Sequence, residues 1–245
     1  MLHGLAGMPE PSPLFAQLKH QLVVSCQAEG DSPFNSPEGL TAFAIAAWQG
    51  GAAGIRSEGV EKTKVIAERV SLPVIGLVKS QFPDGSVCIT GSFADVEALV
   101  GTGCAIVAVD GTSRSLSRSL VGEELTGSEF VRAVKQRYDC TVMADIDTIA
   151  AARTCIDAGA DCLSTTLSGY TPATRDRTGS APDLDLLETL AKTCDVPVFA
   201  EGRYNTPALA AEAIARGAWA VVVGTAITRP VTITSWFQQA IAKAV

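Results

Sequence analysis

A lysine and a glutamate, each closing a short apolar run, are the residues of this chain best placed for proton chemistry. Lys79 ends Val74-Ile-Gly-Leu-Val-Lys79, and Glu201 ends Val196-Pro-Val-Phe-Ala-Glu201 just before Gly202. Alternation along the first run puts Ile75, Leu77 and Lys79 on one face, so the amine can point along the axis of whatever the strand helps to enclose. An amine and a carboxyl facing one another suit removal of a proton from one face of a carbon and its return to the other. Glu201 also has a purely structural alternative, an internal ion pair with Lys79 or an arginine. Anion chemistry is written nearby. Gly202 follows one strand, and Gly224-Thr225 follows another, Val221-Val-Val. Backbone N–H groups at such strand-to-helix turns are unpaired, and the helix dipole favours an anion, so phosphate is the expected guest. Ala226–Arg229 is long enough for one helical turn before Pro230, and Arg229 can add a charge.

The elements that must position these groups alternate from end to end. Strand candidates are Leu22–Cys26, Ala52–Arg56, Val74–Lys79, Ala105–Asp110, Thr141–Asp145, Asp161–Ser164, Pro197–Glu201 and Ala218–Val223. Their β-branched composition is that of parallel strands covered on the outside. Between them lie amphipathic stretches at Pro37–Gln49, Val60–Arg69, Phe93–Val100, Ser128–Tyr138, Thr148–Ala158, Leu184–Lys192, Pro207–Arg216 and Val231–Ala244. Ser36-Pro37 and Thr206-Pro207 are start signals, while Gly50-Gly51, Gly101, Gly159 and Gly217 are stops. Eight strands alternating with eight helices predict a single-domain α/β protein, a closed (β/α)₈ TIM barrel over residues 21–245 with an N-terminal extension at 1–20. An open doubly wound sheet is the alternative, and no GxGxxG follows the first strand to support it. The long connections, Ser80–Ser92, Gly111–Gly127 and Thr165–Pro182, all follow strands, which places them at the C-terminal rim where barrel active sites sit. Strands three and seven are diametrically opposed in a ring of eight, so Lys79 and Glu201 should face one another across the mouth. Gln27, Arg56, Asp110 and Asp145 end other strands in charge or amide. A pure core would not tolerate so many unpaired charges. The loop Thr165–Pro172 is a candidate lid or an ordinary surface loop, Arg175 and Arg177 read as solvated, and Trp48, Trp219 and Trp236 read as packing residues.

Composition narrows the classes. Hydrophobic residues at 47% and charged ones at 18% allow a large core. A net charge of −7 argues against nucleic acid as a partner. The seven cysteines, at 26, 88, 104, 140, 155, 162 and 194, are odd in number and scattered, as reduced thiols of the cytoplasm would be. With only His3 and His20, a histidine metal site is not expected. Met1–Pro13 does not read as a signal peptide, and no apolar run approaches membrane-span length, so no membrane partner is expected.

Together, Val24-Ser-Cys-Gln27, Gly51-Ala-Ala-Gly-Ile-Arg56, Val74–Lys79, Met143-Ala-Asp145, Ser164-Thr-Thr-Leu-Ser-Gly-Tyr-Thr171, Ala200-Glu-Gly-Arg-Tyr-Asn-Thr-Pro207 and Ala226-Ile-Thr-Arg-Pro230 resemble the N-acetylmannosamine-6-phosphate 2-epimerase family of sialic-acid catabolism. The first twenty residues find no clear counterpart. Ser80 stands where the family often has a basic residue, and Thr225 where a second glycine is common. The resemblance implies an isomerase that needs neither cofactor nor metal, with a small sugar phosphate as its partner and a homodimer as its assembly. It implies Lys79 and Glu201 as the catalytic pair and Gln27, Arg56 and Asp145 as sugar contacts. Gly202, Arg203, Gly224, Thr225 and Arg229 are the implied contacts around the phosphate. On that basis neutral Lys79 takes the C2 proton of the open-chain sugar, a donor such as Arg56 steadies the enolate, and Glu201 protonates the opposite face. A Schiff-base lyase using Lys79, a binding protein without activity, and a metal-dependent pentose-phosphate epimerase are the rival readings.

Overall fold

A computed structural model describes residues 11–118, 124–176, 179 and 181–244. Helix α1 (Pro13–Leu18) leads into β1 (Gln21–Cys26), α2 (Pro37–Gln49), β2 (Gly54–Glu58), α3 (Val60–Arg69) and β3 (Val74–Leu77). A hairpin of β4 (Lys79–Gln81) and β5 (Val87–Ile89) precedes α4 (Phe93–Val100) and β6 (Ile106–Asp110). A second hairpin, β7 (Leu116–Ser117) with β8 (Glu124–Leu125), precedes α5 (Gly127–Arg137), β9 (Val142–Asp145), α6 (Ile149–Asp157) and β10 (Cys162–Ser164). Then come α7 (Leu184–Thr193), β11 (Val198–Glu201), α8 (Pro207–Ala215), β12 (Ala220–Val223), the one-turn α9 (Thr225–Thr228) and α10 (Pro230–Ala242). The parallel strands close in the order β1-β12-β11-β10-β9-β6-β3-β2, a (β/α)₈ barrel.

The helices begin where the sequence carries caps. Ser36, Ser92, Thr126, Thr148 and Thr206 each accept a backbone N–H three residues on. Each such cap is worth about 1 kcal/mol. Thr126 and Glu129 complete a reciprocal capping box at α5.

Two-residue alternation sorts the strand side chains into two cores. Val107, Val109, Val142, Ala144, Leu163, Val198, Ala200, Val221 and Val223 face outward beneath the helices. Val23, Ile75, Leu77, Ile106, Ala108, Met143, Cys162, Phe199, Ala220 and Val222 fill the lumen. The lumen is sealed below. Phe15 of α1 meets the Phe199 ring edge-on at 6.5 Å, its carbonyl accepts the Trp219 indole N–H at 2.9 Å, and Leu18 is fully buried. α1 therefore floors the barrel. Above the apolar layer, the same inward register delivers Ser25, Arg56, Asp145, Ser164 and Glu201, so the lumen turns polar only near the C-terminal rim.

Four sequence expectations change. The third barrel strand ends at Leu77, and Lys79 opens β4 instead of closing β3. The cause is non-local: Thr90 donates its N–H to Val78 O at 2.6 Å and accepts the Val78 N–H on Oγ1 at 3.1 Å, drawing the chain into the hairpin. The long rim connections after β3 and β6 contain hairpins. The eighth major helix forms, but no residue of α10 is buried, and Val231, Phe237 and Ile241 are exposed. Trp219 packs as expected, whereas Trp48 and Trp236 are exposed. Arg177 lies outside the described residues.

Candidate active site

A cavity of about 690 Å³ opens at the C-terminal rim. That volume lies within the range of small-molecule sites. Gln27, Arg56, Lys79, Glu201, Gly202, Arg203, Gly224, Thr225 and Arg229 all line it, so nine of the ten predicted site residues meet in one place. Asp145 is the exception. It is fully buried behind the wall and reaches the cavity only through Arg56 and Thr166.

One side of the cavity is built from buried charge. Arg56, on β2, is fully buried and grips Asp145 with both terminal nitrogens, at 2.5 and 3.2 Å. Its Nη1 also lies 3.2 Å from Glu201 Oε2. Burial opposes the charged guanidinium, but Asp145 and Glu201 outweigh it and hold Arg56 above the usual arginine range. Burial pushes the Asp145 carboxyl up to about 6, and Glu201 pushes the same way, while Arg56 pulls it down. Thr166 Oγ1 joins the two carboxylates, lying 3.0 Å from Asp145 Oδ1 and 3.0 Å from Glu201 Oε2. Ser164 Oγ adds a longer contact to Glu201 at 3.3 Å. Glu201 thus makes the arginine ion pair that the sequence left open as a structural role, and it still lines the cavity. One arginine between two carboxylates leaves the cluster a net charge of −1, or neutral when it holds one proton.

The other side is open. Lys79 Nζ lies 2.6 Å from Glu29 Oε1, and Arg229 Nη2 lies 2.9 Å from the same oxygen. The lysine contact holds the Glu29 carboxyl down to about 2, against some burial and with Arg229 assisting. β3 and β11 stand four places apart in the closed ring; Glu201 ends β11, and Lys79 follows the end of β3 by two residues.

Gly202 and Arg203 follow β11 with φ of 106° and 63°, a left-handed pair that turns the chain sharply over the cavity. Gly224 precedes α9, which is tied to β1 by Thr228 Oγ1 donating to Ser25 O at 2.8 Å. The Arg203 guanidinium donates to Ser168 O at 2.8 Å and Ala181 O at 2.7 Å and lies over the Tyr170 ring. It clasps the loop after β10, with those donors directed at backbone rather than free for a ligand. Gln27 donates to Ser25 Oγ at 2.8 Å. Asp110, another charged strand end, is bound by Arg114 and Thr112 and does not line the cavity.

Sequence reasoning missed Glu29 and Thr166. Thr166 sits one strand-register step beyond Ser164, so continuing the inward alternation past the strand end would have found it. Glu29 lies two residues beyond Gln27 in the loop that follows β1.

Comparison with known proteins agrees with this architecture. Residues 40–243 match the family described as "Putative N-acetylmannosamine-6-phosphate epimerase". A protein named "Bifunctional enzyme NanE/NanK" from Brucella melitensis is 45% identical over 231 residues, 93% of this chain. The chain spans only 42% of that relative's length. A "Putative N-acetylmannosamine-6-phosphate 2-epimerase" from Salmonella agona is 43% identical over 91% of this chain and 92% of its own. The solved N-acetylmannosamine-6-phosphate 2-epimerase from Clostridium perfringens superposes with a TM-score of 0.83 at 38% identity, covering 98% of this chain and 99% of that one. That coverage extends into the first twenty residues, where the sequence alone found no counterpart. The chain belongs to the N-acetylmannosamine-6-phosphate epimerase family.

Proposed function

We propose that this protein interconverts N-acetylmannosamine 6-phosphate and N-acetylglucosamine 6-phosphate in amino-sugar catabolism. The observation that supports the proposal is that Lys79, two residues beyond β3, and Glu201, at the end of β11, line one cavity from strands four places apart in the ring. The C2 hydrogen is acidic only beside a free C1 aldehyde, so the open-chain sugar reacts. Lys79, as the free amine, removes that proton and leaves an enolate with its charge on O1. Arg56 lines the cavity, stays charged, and has an Nε that is buried with no partner among the described residues. Its charge, held in place beside the cavity, acts on the oxyanion developing at O1. Glu201 then delivers a proton to the other face, and in the reverse direction the roles exchange. The Arg56–Asp145–Thr166 cluster holds Glu201 in place and lets a proton reside on its side of the cavity.

Gly202, Gly224, Thr225 and Arg229 are the proposed phosphate contacts, with Gln27 directed to the sugar. Arg203 acts in this scheme by fastening the loop around Tyr170. The proposed assembly is a homodimer. It is supported by the exposed apolar face of α10, where Val231, Phe237 and Ile241 are each more than 60% accessible. The proposed compartment is the cytoplasm, supported by seven unpaired thiols. No helix among the described residues is long and apolar enough to cross a membrane.

The test is direct. Purified protein is given N-acetylmannosamine 6-phosphate in D₂O and followed by NMR. Formation of N-acetylglucosamine 6-phosphate with deuterium at C2 is expected, and absence of interconversion overturns the proposal.

A further inference from the structure

Glu29 sits where no catalytic or binding role has been assigned, yet its Oε1 touches two residues central to the site. Lys79 Nζ is at 2.6 Å and Arg229 Nη2 at 2.9 Å, and all three side chains line the cavity. A single carboxylate oxygen therefore satisfies the proposed base and the proposed phosphate cation together. Glu29 is also the most exposed of the three carboxylates at the site. Its side chain is 56% exposed, against 12% for Glu201 and none for Asp145. Exposed ion pairs contribute little, so this one can exchange partners, whereas the buried Arg56–Asp145 pair cannot without great cost.

We propose that Glu29 is a specificity-determining residue, an internal anion that a phosphate group must displace from Arg229 before the site becomes competent. A phosphomonoester carries nearly two negative charges and cannot share Arg229 closely with a carboxylate. When phosphate takes the arginine, like-charge repulsion moves Glu29 off, and Lys79 loses its carboxylate partner. A sugar without phosphate leaves Glu29 in place and Lys79 occupied. Discrimination then acts on turnover as well as on binding, because the same displacement that admits the phosphate frees the amine.

The inference rests on the reading of Lys79 as base and Arg229 as phosphate contact, and its test keeps the two apart. Binding of inorganic phosphate is measured by calorimetry for wild type, Glu29→Gln, Arg229→Gln and the double variant, a readout that needs no turnover. Glu29→Gln is expected to bind phosphate about fivefold more tightly, Arg229→Gln about tenfold more weakly, and the double variant no better than Arg229→Gln. Glu29→Ala serves as a second variant with the same expectation. Unchanged or weaker binding in both Glu29 variants, with Arg229→Gln still impaired, overturns the internal-anion role and leaves the phosphate site standing. Undiminished binding in Arg229→Gln overturns the phosphate site itself, and with it this inference. A parallel assay compares turnover of N-acetylmannosamine with that of its 6-phosphate. At saturating substrate, Glu29→Gln should narrow the kcat ratio of the phosphorylated to the free sugar about fivefold or more relative to wild type, and an unaltered kcat ratio contradicts the proposal.

Discussion

The two sides of the cavity mouth hold their charges in opposite ways. On one, Arg56, Asp145 and Glu201 are buried, multiply bonded and braced by Thr166 and Ser164. On the other, Lys79 and Arg229 share one half-exposed carboxylate on a loop. Buried pairs are costly to break and so fix geometry, while exposed pairs yield to a competing ion. One group of contacts is thus rigid, and the other is of the kind a competing ion can rearrange.

Activity should show the largest effect. Lys79→Ala and Glu201→Gln are each expected to lower kcat by about 10³-fold while the fold persists, the usual scale for loss of a proton-transfer group. Retention of near wild-type turnover in either variant removes that residue from the chemistry. Stability should then separate the sides. Arg56→Met leaves two carboxylates buried without their cation and is expected to cost about 3–5 kcal/mol in urea unfolding. A loss below about 1 kcal/mol would show that the wall is less rigid than its contacts imply.

The buried side should also carry a pH signature. Asp145, raised by burial from 3.8 to about 6, binds its proton more tightly folded than unfolded. Relative to Asp145→Asn, the wild type is therefore favoured below about pH 4 and loses that advantage as the pH rises to about 6, by on the order of 2–3 kcal/mol. A difference that stays flat across this window contradicts the assignment. The smallest effect belongs to the open side. Lys79→Met should change unfolding free energy by less than about 1 kcal/mol, since the ion pair it removes is exposed and screened.

The same contrast explains what the sequence disclosed. Helices α2 and α8 begin at their Ser-Pro and Thr-Pro signals, and α2 and α4 stop at Gly50 and Gly101, because those signals act over three or four residues. The polar layer of Arg56, Asp145 and Glu201 was legible as charged residues closing apolar strands. What escaped was decided by partners distant in the chain. The hairpin pairing of residues 79–81 with 87–89 takes Lys79 out of the barrel ladder, and no local pattern announces it. Asp145 reads as a rim residue, but its withdrawal behind Arg56 depends on a guanidinium 89 positions away. Glu29 lies past the end of β1, and its two partners come from residues 79 and 229. The exposed face of α10 has the ordinary amphipathic pattern of a barrel helix, and only the folded arrangement shows it uncovered.

The most direct test of opposed proton transfer is deuterium exchange at C2 in the two single variants, each supplied separately with either epimer in D₂O and read by NMR. Removing one group should abolish epimerisation yet leave the other able to exchange the epimer whose C2 hydrogen faces it. Lys79→Ala and Glu201→Gln are therefore predicted to label different epimers, one each. Labelling of the same epimer by both variants, or of both epimers by either one, would contradict an amine and a carboxyl working from opposite faces.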